Sequence, residues 1–234
     1  RDSVGVALGY GYDGYDFDRG GDGLAALDPW GDINDFRLSF PLRAGIGERI
    51  DLFAVPSVTW RGESGADLDD AATGGGLFGA TWRFGDDLRL GAGVGAFSEI
   101  EDDATVFPIL LVDWQVTESF SLETGQGLGA TRGPGLTLNW TGIDRWRFTL
   151  GARWETWRFR LDDGGTAPDG VGEEEAVPVF LAATYDVIPT VQLGILGGLD
   201  VAGSLTLEDA DGRELAEEDF DPTPFLGATF RARF

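Results

Sequence analysis

The chain has 234 residues and carries 41 carboxylates against 17 basic residues, all of them Arg, for a formal net charge of −24. It has no Cys and no His, which excludes disulfides and thiolate–metal sites and removes the usual general base; the acidic balance would repel nucleic-acid phosphates. No apolar run approaches the roughly 20 residues of a membrane helix, so a helical membrane protein is excluded and a barrel is not.

The chain begins on Arg1, and an initiator and any export signal are expected to be already gone. In chain order, a long acidic link (13–32) precedes "DFRLSFPLRA", where Phe36, Leu38, Phe40 and Leu42 alternate with Arg37, Ser39 and Arg43. The short link "AGIGER" follows, then an apolar face closed by Trp60, a long link (62–71), a face closed by Trp82, and the short link "FGDD". "DLRLGAGVGAF" sets Leu88, Leu90, Ala92, Val94 and Ala96 against Arg89, Gly91, Gly93 and Gly95. After an acidic link (98–104) come "FPILLV", the short link "VTES", "GQGLGAT", the brief "RGPG" (132–135), a face closed by Trp140, and the short link "TGID". "RWRFTLGARWE" sets Trp146, Phe148, Leu150, Ala152 and Trp154 against Arg147, Thr149, Gly151, Arg153 and Glu155. A link (161–175), "VFLAA", the short link "DVIP", "TVQLGIL" and a last acidic link (207–219) lead to "GATFRARF".

Period-two alternation over such stretches predicts strands, and no segment has a 3.6-residue stripe. Five short links alternating with six mostly long ones join about twelve strands in one domain (1–234). Short turns at one end and long loops at the other are the layout of a transmembrane antiparallel up-and-down β-barrel. A soluble sandwich would hide the apolar face inside, but here aromatics close the apolar faces as an interfacial girdle would. The opposite faces carry much Gly, which weakens a strand unless neighbouring side chains need the space.

The final "ATFRARF", with Leu226, Phe230 and Phe234 at spaced positions, resembles the last strand of bacterial outer-membrane barrels, in which a terminal Phe is the signal read by the barrel insertion machinery. The spacing of "VFPILLVDWQVTESFSLETG", "GPGLTLNWTGIDRWRFTLGARWE" and "PTPFLGATFRARF" is similar to a family of outer-membrane barrels described as a domain of unknown function, which implies location in the outer membrane and contact with its lipid but no activity.

The motifs that could carry chemistry resolve into structure. "GAGVGAF" and "GQGLGAT" lack the spacing and the following helix of a nucleotide-binding loop, and their glycines fit an inward face that receives neighbouring side chains. "DADG" fails as a calcium loop, since Gly212 is fourth and Phe220 twelfth from Asp209, where such a loop needs Gly at position six and Glu at twelve. "GADLDD", "EIEDD" and "GEEEA" fit solvated acidic extracellular loops. No catalytic, cofactor or metal residue is assigned, and no enzyme is expected.

The informative set is basic. With apolar faces toward lipid, Arg37, Arg43, Arg49, Arg83, Arg89, Arg147, Arg153, Arg231 and Arg233 face inward, in phase with Asp51, Asp113, Glu123, Glu155, Asp186 and Asp200. Two readings stay open. The arginines line a path for small polar solutes, giving a porin-like passive pore, or they pair with the carboxylates and fill a closed structural barrel that serves as a membrane subunit or anchor of a larger outer-membrane assembly.

Overall fold

The computed structural model describes residues 2–17, 23–124 and 135–232. It is all-β apart from one short 3-10 turn at Ala25–Leu27. The strands are β1 (Ser3–Val4), β2 (Ala7–Gly14), β3 (Asp32–Ser39), β4 (Leu42–Ile46), β5 (Ile50–Glu63), β6 (Ala72–Phe84), β7 (Leu88–Glu99), β8 (Asp102–Gln115), β9 (Phe120–Thr124), β10 (Gly135–Ile143), β11 (Trp146–Arg153), β12 (Glu155–Arg160), β13 (Val171–Ile188), β14 (Val191–Glu208), β15 (Glu214–Asp219) and β16 (Thr223–Ala232).

Sequence neighbours pair antiparallel from β5 through β11, and β11 then pairs with β13. The expected short turns are present. Three hold a left-handed residue, Gly47 (φ 63°) between β4 and β5, Gly85 (φ 77°) between β6 and β7 and Arg145 (φ 64°) between β10 and β11. Three acidic links differ from expectation. The link 98–104 is a tight turn at Ile100–Glu101, the run Glu173–Glu175 belongs to β13, and 207–219 contains β15. Charged residues extend these strands because a strand outside an apolar zone needs hydrogen-bonded neighbours, not apolar ones, and β13, β14 and β15 supply them.

The wall strand that begins as β11 breaks at Trp154. Its continuation, β12, stays antiparallel to β13 and meets β5 in parallel at Arg160–Gly62. This contact closes a nine-strand ring, β5 through β11, then β13 and β12, with the remaining strands flanking it. Gly62 is required there, since a Cβ would stand 3.3 Å from the Arg160 carbonyl oxygen and 3.2 Å from the Ala66 Cβ. Among the described residues β2 pairs with β3 alone and β16 with β14 alone.

The packing is inside out relative to a soluble domain. Large apolar side chains point outward around the whole wall, among them Leu8, Phe78, Leu110, Leu150, Leu181, Ile195 and Leu226. The interior holds Asp35, Ser39, Thr59, Arg61, Thr73, Thr137, Asn139 and Glu155, all buried. Soluble monomers rarely expose contiguous apolar surface on this scale. Inward glycines act as sockets for aromatic rings. A Cβ on Gly95 would strike the Phe107 ring, and one on Gly151 the Phe180 ring.

Candidate functional site

Among the described residues a conventional apolar core lies at the loop end. Leu24, Trp30, Ile33, Phe159, Leu161, Ala167 and Leu207 form it, with Tyr15 and Phe17 packed against it. Trp30 stands edge-on to Tyr15, Phe17 and Phe159. The segment before β3 therefore folds back over the barrel end instead of remaining in solvent. β12 supplies the other half of this core. β12 keeps the register of β11 against β13, so Trp157 and Phe159 continue the inward phase of Arg153 and Glu155 and face the core side.

The opposite face of β12 carries Arg158 and Arg160, both buried. Arg158 donates to Glu173 at 2.8 Å, to Glu208 Oε1 at 3.0 Å and to the Ile100 carbonyl at 3.1 Å. Arg160 donates to the Asp169 carbonyl at 2.7 Å and pairs with Glu101. Two guanidiniums thus tie β12 to β13, to β14 and to the β7–β8 turn. Buried charges of this kind hold when each has hydrogen-bonded partners. The result is a cap latched across the loop end.

Below the cap, many of the inward charges are paired. Arg61 donates to Asp35 through Nε at 2.8 Å and lies 4.0 Å over the Trp157 ring. Arg37 also meets Asp35, at 3.7 Å. Arg83 pairs with Asp51 at 3.2 Å, Arg89 with Asp113 at 3.4 Å, and Arg153 with Glu155. Glu123 accepts from Asn139 at 3.2 Å, and Asp186 from Gln192 at 2.7 Å. Arg43 lies opposite Phe53, Arg147 opposite Thr184 and Arg231 opposite Gln192. All three follow the inward phase. Side-chain exposure falls from 38% and 51% for Arg89–Asp113 near the turn end to 7% and 9% for Arg61–Asp35 near the cap. The interior charges are therefore more exposed at the turn end than near the cap.

Leu226 and Phe230 of the C-terminal stretch point outward and are exposed. Arg233, Phe234 and all of "GQGLGAT" lie outside the described residues. Arg61, Arg158, Arg160, Tyr15, Trp30 and Glu174 were not singled out by the sequence. No phase signal marks the break, because the two-residue alternation runs unbroken from β11 into β12.

Glu174 sits in the outer extension of β13, above the apolar belt, and accepts a hydrogen bond from the Tyr15 hydroxyl. Burial, and then the nearby Asp13 charge, push its carboxyl above the usual range, although the Tyr15 bond opposes this. The Tyr15 phenol is held well above its usual range, mainly by burial and by Glu174. A carboxyl whose folded value is raised stabilises the fold below its unfolded value and loses that contribution as pH rises through the folded one. Cap stability should therefore rise on acidification from neutral pH toward the ordinary Glu range. Glu174→Gln should flatten that rise. Thermal melts followed by near-UV circular dichroism at several pH values check this, and an unchanged pH slope in the variant would contradict it. Asp209 works in the opposite sense. Backbone N–H groups of Arg213 and Asp211 hold its carboxyl low, so its contribution is lost only as pH falls below the usual Asp range.

Comparison of the chain with known protein families, curated proteins and solved structures found no match.

Proposed function

We propose that this protein is an integral outer-membrane β-barrel, closed at its loop end, that serves as a structural membrane subunit or anchor rather than an open pore. The observation that carries this reading is the latch: β12 crosses to β5, and Arg158 and Arg160 bind it to the surrounding loops. The paired interior charges support it, because guanidiniums bound to carboxylates are not free to bind a solute.

Membrane location rests on the outward apolar wall and on the inverted interior. In lipid no strand edge is left unpaired, so β2 and β16 would join edge to edge. Counting β1–β2, β3–β4, β11–β12 and β15–β16 each as one interrupted wall strand then gives about twelve strands, an even number as such barrels have. The short turns would face the periplasm and the cap the outside. A passive pore is the second reading, favoured by the more exposed, Arg-bearing turn end.

Planar-bilayer recording separates the two. The purified protein is expected to insert without steady conductance, and the Arg158→Ala, Arg160→Ala double variant to conduct intermittently. Steady conductance of the unmodified protein, comparable to a porin, would overturn the closed-barrel reading in favour of the pore. Orientation is checked on intact cells with a protease site at Asp169, expected to be cut, and one at Gly85, expected to be protected.

A further inference from the structure

Residues 23–31 lead into β3 and contain the 3-10 turn, and their Leu24 and Trp30 side chains are buried in the loop-end core. Three contacts from distant parts of the chain hold their backbone. The Leu24 N–H donates to Glu218 at 2.7 Å, the Gly31 N–H donates to Glu63 at 2.7 Å, and the Thr166 hydroxyl donates to the Leu27 carbonyl at 2.6 Å. β12, against which this segment packs, is held differently. Each of its residues from Glu155 to Arg160 pairs with β13, and Arg158 and Arg160 add their ion pairs.

The segment carries two local costs in its packed position. The Trp30 indole is 3% exposed, and its N–H has no acceptor among the described residues. A buried donor without a partner forfeits the hydration it had in water. Asp28 stands in the left-handed region, at φ 46°, directly before Pro29, where the chain favours extended backbone. Strain of this kind persists only where the surroundings impose it.

We propose that residues 23–31 are a displaceable strap, which lifts from the loop end as one unit while β12 and the wall stay folded. Lifting withdraws Trp30 from the Phe159 ring, 5.1 Å away in the closed state, and Leu24 from the same core. It bares an apolar face that includes Phe159 and Ala167, both buried when the strap is down. In the lifted state the indole N–H regains water and Asp28 is free to leave the left-handed region, so opening returns both costs. The strap does not depend on membrane location or on conduction, since the crossing of β12 to β5 is untouched by it.

Hydrogen exchange of the full chain folded in detergent, read by mass spectrometry, tests this. Strap amides are expected to exchange through a local opening faster than the amides of β12. Glu218→Ala removes one anchor and should speed strap exchange roughly tenfold without changing β12. The Trp30 indole N–H, followed by NMR and assigned by its loss in Trp30→Phe, should exchange in step with the strap amides. The chain has no Cys, so a single Ala167→Cys thiol reports the bared face. It should react with a maleimide in proportion to strap opening, and faster when combined with Glu218→Ala. Strap amides as protected as those of β12, an indole N–H that stays protected while the strap amides exchange, or a thiol whose reaction ignores Glu218→Ala would each overturn the proposal.

Discussion

Replacing Arg158 with Met should release the cap while leaving the wall in place. The side chain is 8% exposed and sits between Glu173 and Glu208. Its removal leaves two carboxylates facing each other in a poorly hydrated site. Breaking a buried ion pair in this way costs about 3–5 kcal/mol, which is large against the total stability of most domains. The expected result is rapid amide exchange in β12 and proteolytic cleavage in residues 161–170, with the lower strands still protected. Adding Glu173→Gln and Glu208→Gln should recover most of the protection, because the cost lies in the unpaired charges rather than in the lost contact. Full protection of β12 in the single variant would show that the apolar core alone holds the cap.

Leu150→Arg should fail where Thr149→Arg is tolerated. Leu150 lies on β11 beside Leu138 and Leu181, all outward and exposed. If that face meets lipid near mid-bilayer, an Arg there costs roughly 2–4 kcal/mol. Thr149 points inward and donates to Asn139 at 2.7 Å. Its replacement loses one hydrogen bond, worth about 1 kcal/mol, and adds bulk but avoids the lipid penalty. Folding into lipid vesicles, followed by the shift in electrophoretic mobility on heating, measures both. Equal tolerance would contradict the assignment of faces.

The wall was legible because period-two alternation is a local property. Phe148 and Leu150 against Arg147 and Thr149 predict the face of every residue in β11 without knowledge of its neighbours. The pairing of Arg83 with Asp51 and of Arg89 with Asp113 follows from phase plus register, and both members of each pair were in the predicted inward set. The cap was not legible. Its charges come together across 15 residues for Arg158–Glu173 and 50 for Arg158–Glu208, and nothing in either segment fixes that juxtaposition. The run Glu173–Glu175 reads as a solvated loop because acidic runs usually are. Here Thr156, Trp157 and Arg158 pair with it register for register. Trp30 and Leu24 read as loop residues for the same reason: their partners, Phe159 and Leu207, lie far along the chain. The break at Trp154 left no trace in the alternation, because β12 continues the register of β11 against β13.

The central claim is that the outward face of this barrel meets lipid while its interior does not. Spin labels placed singly along β13 from Pro178 to Val187, in protein reconstituted into lipid vesicles, test it most directly. Oxygen, which concentrates in hydrocarbon, should relax labels at Val179, Leu181 and Ala183 strongly and labels at Phe180, Ala182 and Thr184 weakly, with the alternation fading toward Glu175. Uniform access of a water-soluble relaxant at all of these positions, without a period of two, would contradict a membrane-spanning wall.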